Sequence, residues 1–265
     1  MSSRRVGVIG HGAVGSVVAD ALERGDVPGV VLAGVHALSE VPEHRRIDTV
    51  AELVAHSDLV VEAASQDAVR AYGASVLAAS RDLLVVSVGA LVDDVLRTRL
   101  VEEAGAAGAR LLVTTGAIGG VDLLRAAAGL GPLDSVTLET EKPAAVLVRP
   151  WMQPELVHRL TTGDAPVEVF DGPARDAVAA FPESVNVAAT LSLVTVGFDR
   201  VRVRIIADPA ATRVTHRIGV VGAAGEWHLT LRNRPSAINP RTSALTPFAV
   251  LRGLHDLGAT VVIGW

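Results

Sequence analysis

VGVIGHGAVG, residues 6–15, is the stretch whose reading decides the fold. Val6 to Gly10 is a short apolar run that ends on glycine, as a buried strand does. From Ala13 to Leu22 the spacing turns helical, with Val14, Val17, Val18, Ala21 and Leu22 on one stripe, and Gly25 and Pro28 stop it. Gly10, Gly12 and Gly15 thus form G-x-G-x-x-G at a strand-to-helix junction. Gly10 permits the tight turn, Gly12 lets backbone approach a pyrophosphate, and Gly15 lets the helix pack close to the strand. The helix start offers phosphate its N–H groups and the positive end of its dipole. The loop predicts a dinucleotide cradle made by Gly10, Gly12, Ala13, Val14 and Gly15; His11 lines the cofactor or fills the loop.

Outward from the loop, strand and helix alternate. Residues 30–35, 58–65, 82–91 and the start of 109–120 read as further strands. This predicts an α/β chain whose N-terminal part, residues 1–117, is a Rossmann domain with a doubly wound parallel sheet. In such domains an acid at the end of the second strand holds the adenosine ribose. That slot falls at Val35, His36 and Ala37, and holds no carboxylate. A 2′-phosphate is then not repelled, His36 can hydrogen-bond it, and Arg45 or Arg46 lies nearby in sequence. The expected cofactor is NAD or NADP.

After Gly120 the alternation weakens. Residues 135–148 read as a strand and its continuation, and residues 174–198 as one or two helices broken at Phe181 and Pro182. Residues 199–208, 212–222 and 225–234 then alternate with period two, which predicts a half-buried antiparallel meander turning at Gly222 and Gly225. The C-terminal domain, residues 118–241, is therefore expected to be α+β with a mainly antiparallel sheet, carrying the substrate site and a dimer interface. A helix within 242–265 is expected to pack back on the first domain. His216 lies on the apolar face of its strand, between Val214 and Ile218. It either reaches a polar pocket or is buried with a hydrogen-bond partner.

The bulk properties exclude several classes. At 265 residues and 49% hydrophobic, the chain has material for one large or two modest domains. A net charge of −5, without a basic stripe, argues against nucleic acid. The absence of cysteine excludes disulfides, thiolate metal sites and cysteine nucleophiles. No H-x-x-x-H or acid-rich ligand set points to a metal. The start lacks a signal-peptide pattern, and the apolar run 83–92 is far short of the roughly 20 residues a bilayer span needs. A cytoplasmic protein without membrane contact is expected. Lys142 is the only lysine.

Several stretches together resemble the L-aspartate dehydrogenase family: VGVIGHGAVG, VVEAAS (60–65), VSVGAL (86–91), TTGAIGGVD (114–122), FPESVNVAATLSL (181–193), THRI (215–218) and NPRTSAL (239–245). They follow in order over nearly the whole chain. The resemblance implies a Rossmann domain, a catalytic and dimerisation domain, a homodimer, and NAD(P)-dependent oxidative deamination of L-aspartate or its reversal. It implies that His216 is the catalytic histidine and that Asn186 contacts cofactor and substrate. Ala64, Ser65, Ala117 and Gly120 join the cofactor contacts, and Lys142 faces a substrate carboxylate. Ser184 stands in the substrate region where the family often has asparagine, and serine lacks the amide's paired donor and acceptor. That departure motivates a second reading, a dehydrogenase or imine reductase for another amino acid. A third reading is a non-catalytic NAD(P)-binding sensor.

Overall fold

The computed structural model describes residues 3–182 and 186–263, so Ser184 lies outside the described residues. The chain forms two units, Met1–Gly116 with Thr246–Trp265, and Ala117–Leu245.

The first unit begins with β1 (Arg4–Ile9), α1 (Gly15–Glu23) and β2 (Val30–His36). It continues through α2 (Val50–His56), β3 (Leu59–Glu62), α3 (Gln66–Ala78), β4 (Asp82–Val85), α4 (Asp94–Ala107) and β5 (Leu111–Val113). Its sheet runs β2-β1-β3-β4-β5, and every adjacent pair is parallel. Val6 and Val8 of β1 and Leu59 and Val61 of β3 are fully buried, because helices cover a parallel sheet on both faces. The sheet reverses its order beside β1, so the crevice outside the carboxyl ends of β1 and β3 is where ligands bind in such folds. The run 82–91, expected as one strand, is β4 followed by a 3-10 turn over Val88–Val92.

The second unit contains α5 (Val121–Leu130), β6 (Leu133–Pro143), α6 (Pro154–Thr162), β7 (Val167–Pro173), α7 (Ala174–Ala180), α8 (Asn186–Val194), β8 (Val201–Asp208), β9 (Val214–Gly222) and β10 (Gly225–Asn233). Its sheet runs β10-β9-β6-β8-β7. The expected meander is corrected here. Only β9 and β10 form a hairpin; β8 pairs in parallel with β6, which separates it from β9. Period-two alternation fixes which face of a strand is buried, not which strand lies beside it. β6 alternates from Val136 to Pro143, the stretch that pairs with β8, and its register with β9 shifts between Leu133 and Ser135.

One face of this sheet is apolar, with Val136 and Leu138 on β6, Val203 and Ile205 on β8, and Ile218 and Val220 on β9 all buried. The other face carries ion pairs: Arg204 and Arg217 each meet Glu139 at 2.8 Å, and Arg202 meets Asp171 at 2.8 Å. These half-exposed pairs fix which side faces water more than they add stability.

The last helix, α9 (Thr246–Asp256), is shorter than the 242–265 segment. Its N-terminus is delayed because Ser243 bridges Pro235 and the Ala244 N–H donates to the Arg234 carbonyl at 2.9 Å. Val250 and Leu254 share the core cluster of the first unit with Val18 and Leu22 of α1.

Candidate active site

In the first unit, the turn after β1 is held by neighbours on both sides. The Gly10 N–H donates to the His36 carbonyl at 2.8 Å. A Cβ on Gly10 would lie 2.8 Å from the Ala64 Cα, so the loop after β3 lies against the glycine loop. A Cβ on Gly15 would meet the Gly10 carbonyl oxygen at 2.1 Å, a contact no side chain tolerates. Ala13 and Val14 are buried, so their side chains fill the helix base.

The features fit a dinucleotide. A Cβ on Gly12 would meet nothing within 4 Å, so the backbone there borders open space. α1 begins with neither a side-chain cap nor an acidic residue in its first turn, which favours an incoming anion. His11 donates through Nδ1 to the Glu40 carbonyl at 3.0 Å, and its buried Nε2 has no partner among the described residues. Gly10, His11, Gly12 and the start of α1 would hold the diphosphate. Ser65 caps α3 through its Oγ, which accepts from the Ala68 N–H at 3.1 Å.

Glu62, at the end of β3, ties these loops together. It is 1% exposed. Its Oε1 accepts from the N–H groups of Ala64 and Ser65, both at 2.9 Å, and from the Ser87 hydroxyl at 2.9 Å. Its Oε2 accepts from the Ser87 N–H at 3.1 Å. Burial pushes this carboxyl's pKa up, against the lowering pull of its donors. The N–H groups of Ala64 and Ser65 are therefore already used, and what those residues offer a cofactor is their surface.

At the ribose-side position, His36 donates through Nδ1 to the Ile47 carbonyl at 3.0 Å. The arginines expected near it are engaged. Arg45 is held by Glu23 and by Asp20 at 2.5 Å, and Arg46 by Asp48 at 3.0 Å.

In the second unit, the polar end of the apolar sheet face gathers three side chains. Thr140 and His216 pair across β6 and β9, and Thr140 Oγ1 lies 3.0 Å from His216 Nδ1. Lys142 stands two residues further along the same face of β6, opposite the small Ala207 of β8. His216 is 3% exposed and Lys142 4%. Burial lowers the His216 pKa to about 3, and the charge of Lys142 adds to that. Burial lowers the Lys142 pKa to about 8, aided by the Arg149 guanidinium. Arg149 donates to the Val146 and Val148 carbonyls, and its guanidinium lies 5.5 Å from the centre of the buried Phe181 ring.

The loop at Ala117 to Gly120 belongs to the same face. Asn233 Nδ2 donates to the Ala117 carbonyl at 3.0 Å. A Cβ on Gly119 would lie 3.3 Å from Leu231, the residue that pairs with His216 across β9 and β10. Asn186 begins α8. Thr140, Arg149 and Asn233 are site residues that the sequence reading missed. Thr140 was legible as the residue two before Lys142 on one strand face; nothing local marks Arg149 or Asn233.

A parallel sheet with a glycine loop, joined in sequence to a unit bearing a buried histidine and lysine, defines the class of NAD(P)-dependent dehydrogenases. A family profile described as "Aspartate dehydrogenase, C-terminal" matches residues 122–257, and one described as "Homoserine dehydrogenase, NAD binding domain" matches residues 10–114. The chain is 38% identical to an L-aspartate dehydrogenase of Methanosarcina barkeri, covering 98% of this chain and 99% of that one. It is also 38% identical to an L-aspartate dehydrogenase of Pseudomonas aeruginosa, covering 94% and 96%. The crystal structure of aspartate dehydrogenase from Thermotoga maritima superposes with a TM-score of 0.77 at 28% identity, covering 98% of this chain and 99% of that one. The chain belongs to the L-aspartate dehydrogenase family.

Among the described residues, no cluster of three or more His, Asp or Glu is placed to hold a metal, and no helix is long and apolar enough to cross a membrane.

Glu62→Gln is expected to destabilise the first unit. The new amide N–H₂ must face a backbone N–H, leaving a buried donor unsatisfied at a cost of about 1–3 kcal/mol. Urea denaturation followed by circular dichroism measures this, and an unchanged midpoint contradicts the clamp.

Proposed function

We propose that the chain catalyses NAD(P)-dependent oxidative deamination of L-aspartate to iminoaspartate, which hydrolyses to oxaloacetate and ammonia, or the reverse reductive amination. The observation that carries this reading is the buried triad of Thr140, His216 and Lys142 at one end of the second unit's sheet. An apolar strand face does not keep a histidine and the chain's only lysine without use, because burying a charge costs several kcal/mol. Two cationic groups, Lys142 and Arg149, match the carboxylates of an amino dicarboxylic acid.

The bound nicotinamide supplies the hydride acceptor. The protein's own part is protonic and electrostatic. In the tautomer whose Nδ1–H donates to the Thr140 hydroxyl, His216 keeps a lone pair on Nε2. That atom takes a proton from the substrate amine, releases it to solvent, and then takes a second from the water that attacks the imine. A substrate carboxylate beside Lys142 offsets the charge that helps to depress His216, and so strengthens the base in the complex. Asn233 fixes the carbonyl of Ala117, and with it the loop through Gly120 assigned to the cofactor. Asn186 contacts cofactor and substrate, and Ser184 belongs to the substrate region, in the same reading. So do the division of labour between a cofactor unit and a catalytic unit, a homodimer, and a cytoplasmic location.

A panel of amino acids with NAD and NADP, followed at the reduced-nicotinamide absorbance, tests the assignment. Aspartate is expected to turn over above all others, and His216→Ala to lower kcat by about 10²–10⁴ while nucleotide binding is kept. Faster turnover of another amino acid contradicts the substrate; near-normal turnover by the variant contradicts the base.

The binding of succinate, which has the carboxylates without the amine, reads Lys142 alone. Lys142 is charged below a pKa of about 8. The succinate Kd is therefore expected to stay flat below pH 8 and to rise above it, by up to about tenfold per pH unit. Lys142→Met is expected to weaken binding by about 10–100-fold and to abolish that rise. A wild-type Kd unchanged from pH 7 to 9.5 contradicts the role.

A further inference from the structure

We propose that His36 selects the cofactor by the direction of one hydrogen bond, favouring NAD over NADP. The inference rests on nucleotide binding by the first unit and is independent of the amino-acid substrate.

His36 ends β2, where a dinucleotide fold places the residue that reads the adenosine ribose. Its backbone carbonyl holds the Gly10 N–H at 2.8 Å, which locks it to the glycine loop. Its ring is fixed from the other side. The backbone beyond the 3-10 turn at Glu43–Arg45 runs beside β2, where Val35 bridges Arg46 and the Ile47 N–H donates to the Val35 carbonyl at 2.9 Å. Gly34 allows this approach, since a Cβ there would lie 2.5 Å from the Ile47 side chain. The Ile47 carbonyl is thereby brought to 3.0 Å from His36 Nδ1.

A carbonyl only accepts, so Nδ1 must carry a proton. In the neutral ring Nε2 is then an acceptor, with no hydrogen-bond partner among the described residues. A ribose 2′-hydroxyl can donate to it, as it would to the customary carboxylate. A 2′-phosphate dianion has no proton to give and meets lone pair against lone pair.

The surroundings do not reverse this preference. A cavity of about 630 Å³ opens beside the ring, lined by His36, Tyr72, Asp48, Thr49 and Val50 among others. Tyr72 of α3 meets the imidazole edge-on, with ring centres 6.4 Å apart. The carboxylate in that cavity, Asp48, is paired with Arg46 at 3.0 Å, so the two together add no net charge beside a phosphate. The two nearby cations, Arg45 and Arg46, are both held in ion pairs. α2 lines the cavity with Val50, Ala51 and Val54, which are uncharged.

Fluorescence titration of the full chain with NADH and with NADPH, without amino acid, tests this. At pH 8 NADPH is expected to bind at least about tenfold more weakly than NADH. In His36→Gln, whose amide both donates and accepts, that ratio is expected to shrink to less than about threefold. His36→Asp is expected to keep NADH binding and to disfavour NADPH. Equal affinity of the wild type for the two nucleotides overturns the proposal. So does a wild-type preference that survives unchanged in His36→Gln. Failure to bind either nucleotide would instead overturn the functional reading above.

Discussion

The pairing of Thr140 with His216 across β6 and β9 is the constraint on which the second unit turns. Side chains alternate along a strand, so a slip of one residue in this register would carry His216 and its apolar neighbours to the water-facing side. The ion-paired face opposes the slip. Arg217 neighbours His216 in sequence and points to Glu139 and Glu141, which neighbour Thr140. Moving the histidine out would move that arginine in. Weak surface pairs and strong apolar burial thus specify one register together, and the register buries His216 near Lys142.

The first unit solves a different problem with the same economy of parts. Its strands are nearly all apolar, so its polar chemistry is confined to the ends of β1, β2 and β3. Gly15 brings α1 against the turn after β1, His36 anchors that turn through its carbonyl, and Glu62 gathers the two neighbouring loops. Glu62 accepts only from N–H and O–H donors, so it acts as a tie for backbone and is spent structurally.

The sequence was informative where local geometry is enough. G-x-G-x-x-G between a strand and a helix is a local device, and its close contacts are those its residues foretold. Alternation along residues 214–220 likewise revealed which face His216 takes, because that needs only one strand. Partners separated by many residues were not legible. The parallel pairing of β8 with β6, the Asn233 tie to Ala117, and the placing of Arg149 beside Lys142 depend on topology, which period-two spacing does not encode. Some local signals were passed over: Thr49 followed by Glu52 caps α2, and Asp93 with Gly108 brackets α4. The missing acid at the end of β2 was visible, but the direction of the His36 hydrogen bond was not, since Ile47 reaches it through a loop.

In the proposed reaction hydride leaves the α-carbon of aspartate for the bound nicotinamide, with His216 as the proposed base. Turnover of L-aspartate carrying deuterium at C2, with the reduced cofactor examined by mass spectrometry, tests this most directly. Deuterium is expected at C4 of the nicotinamide in every molecule of reduced cofactor formed. Reduced cofactor that carries no label, or no reduction at all with aspartate, would contradict the account.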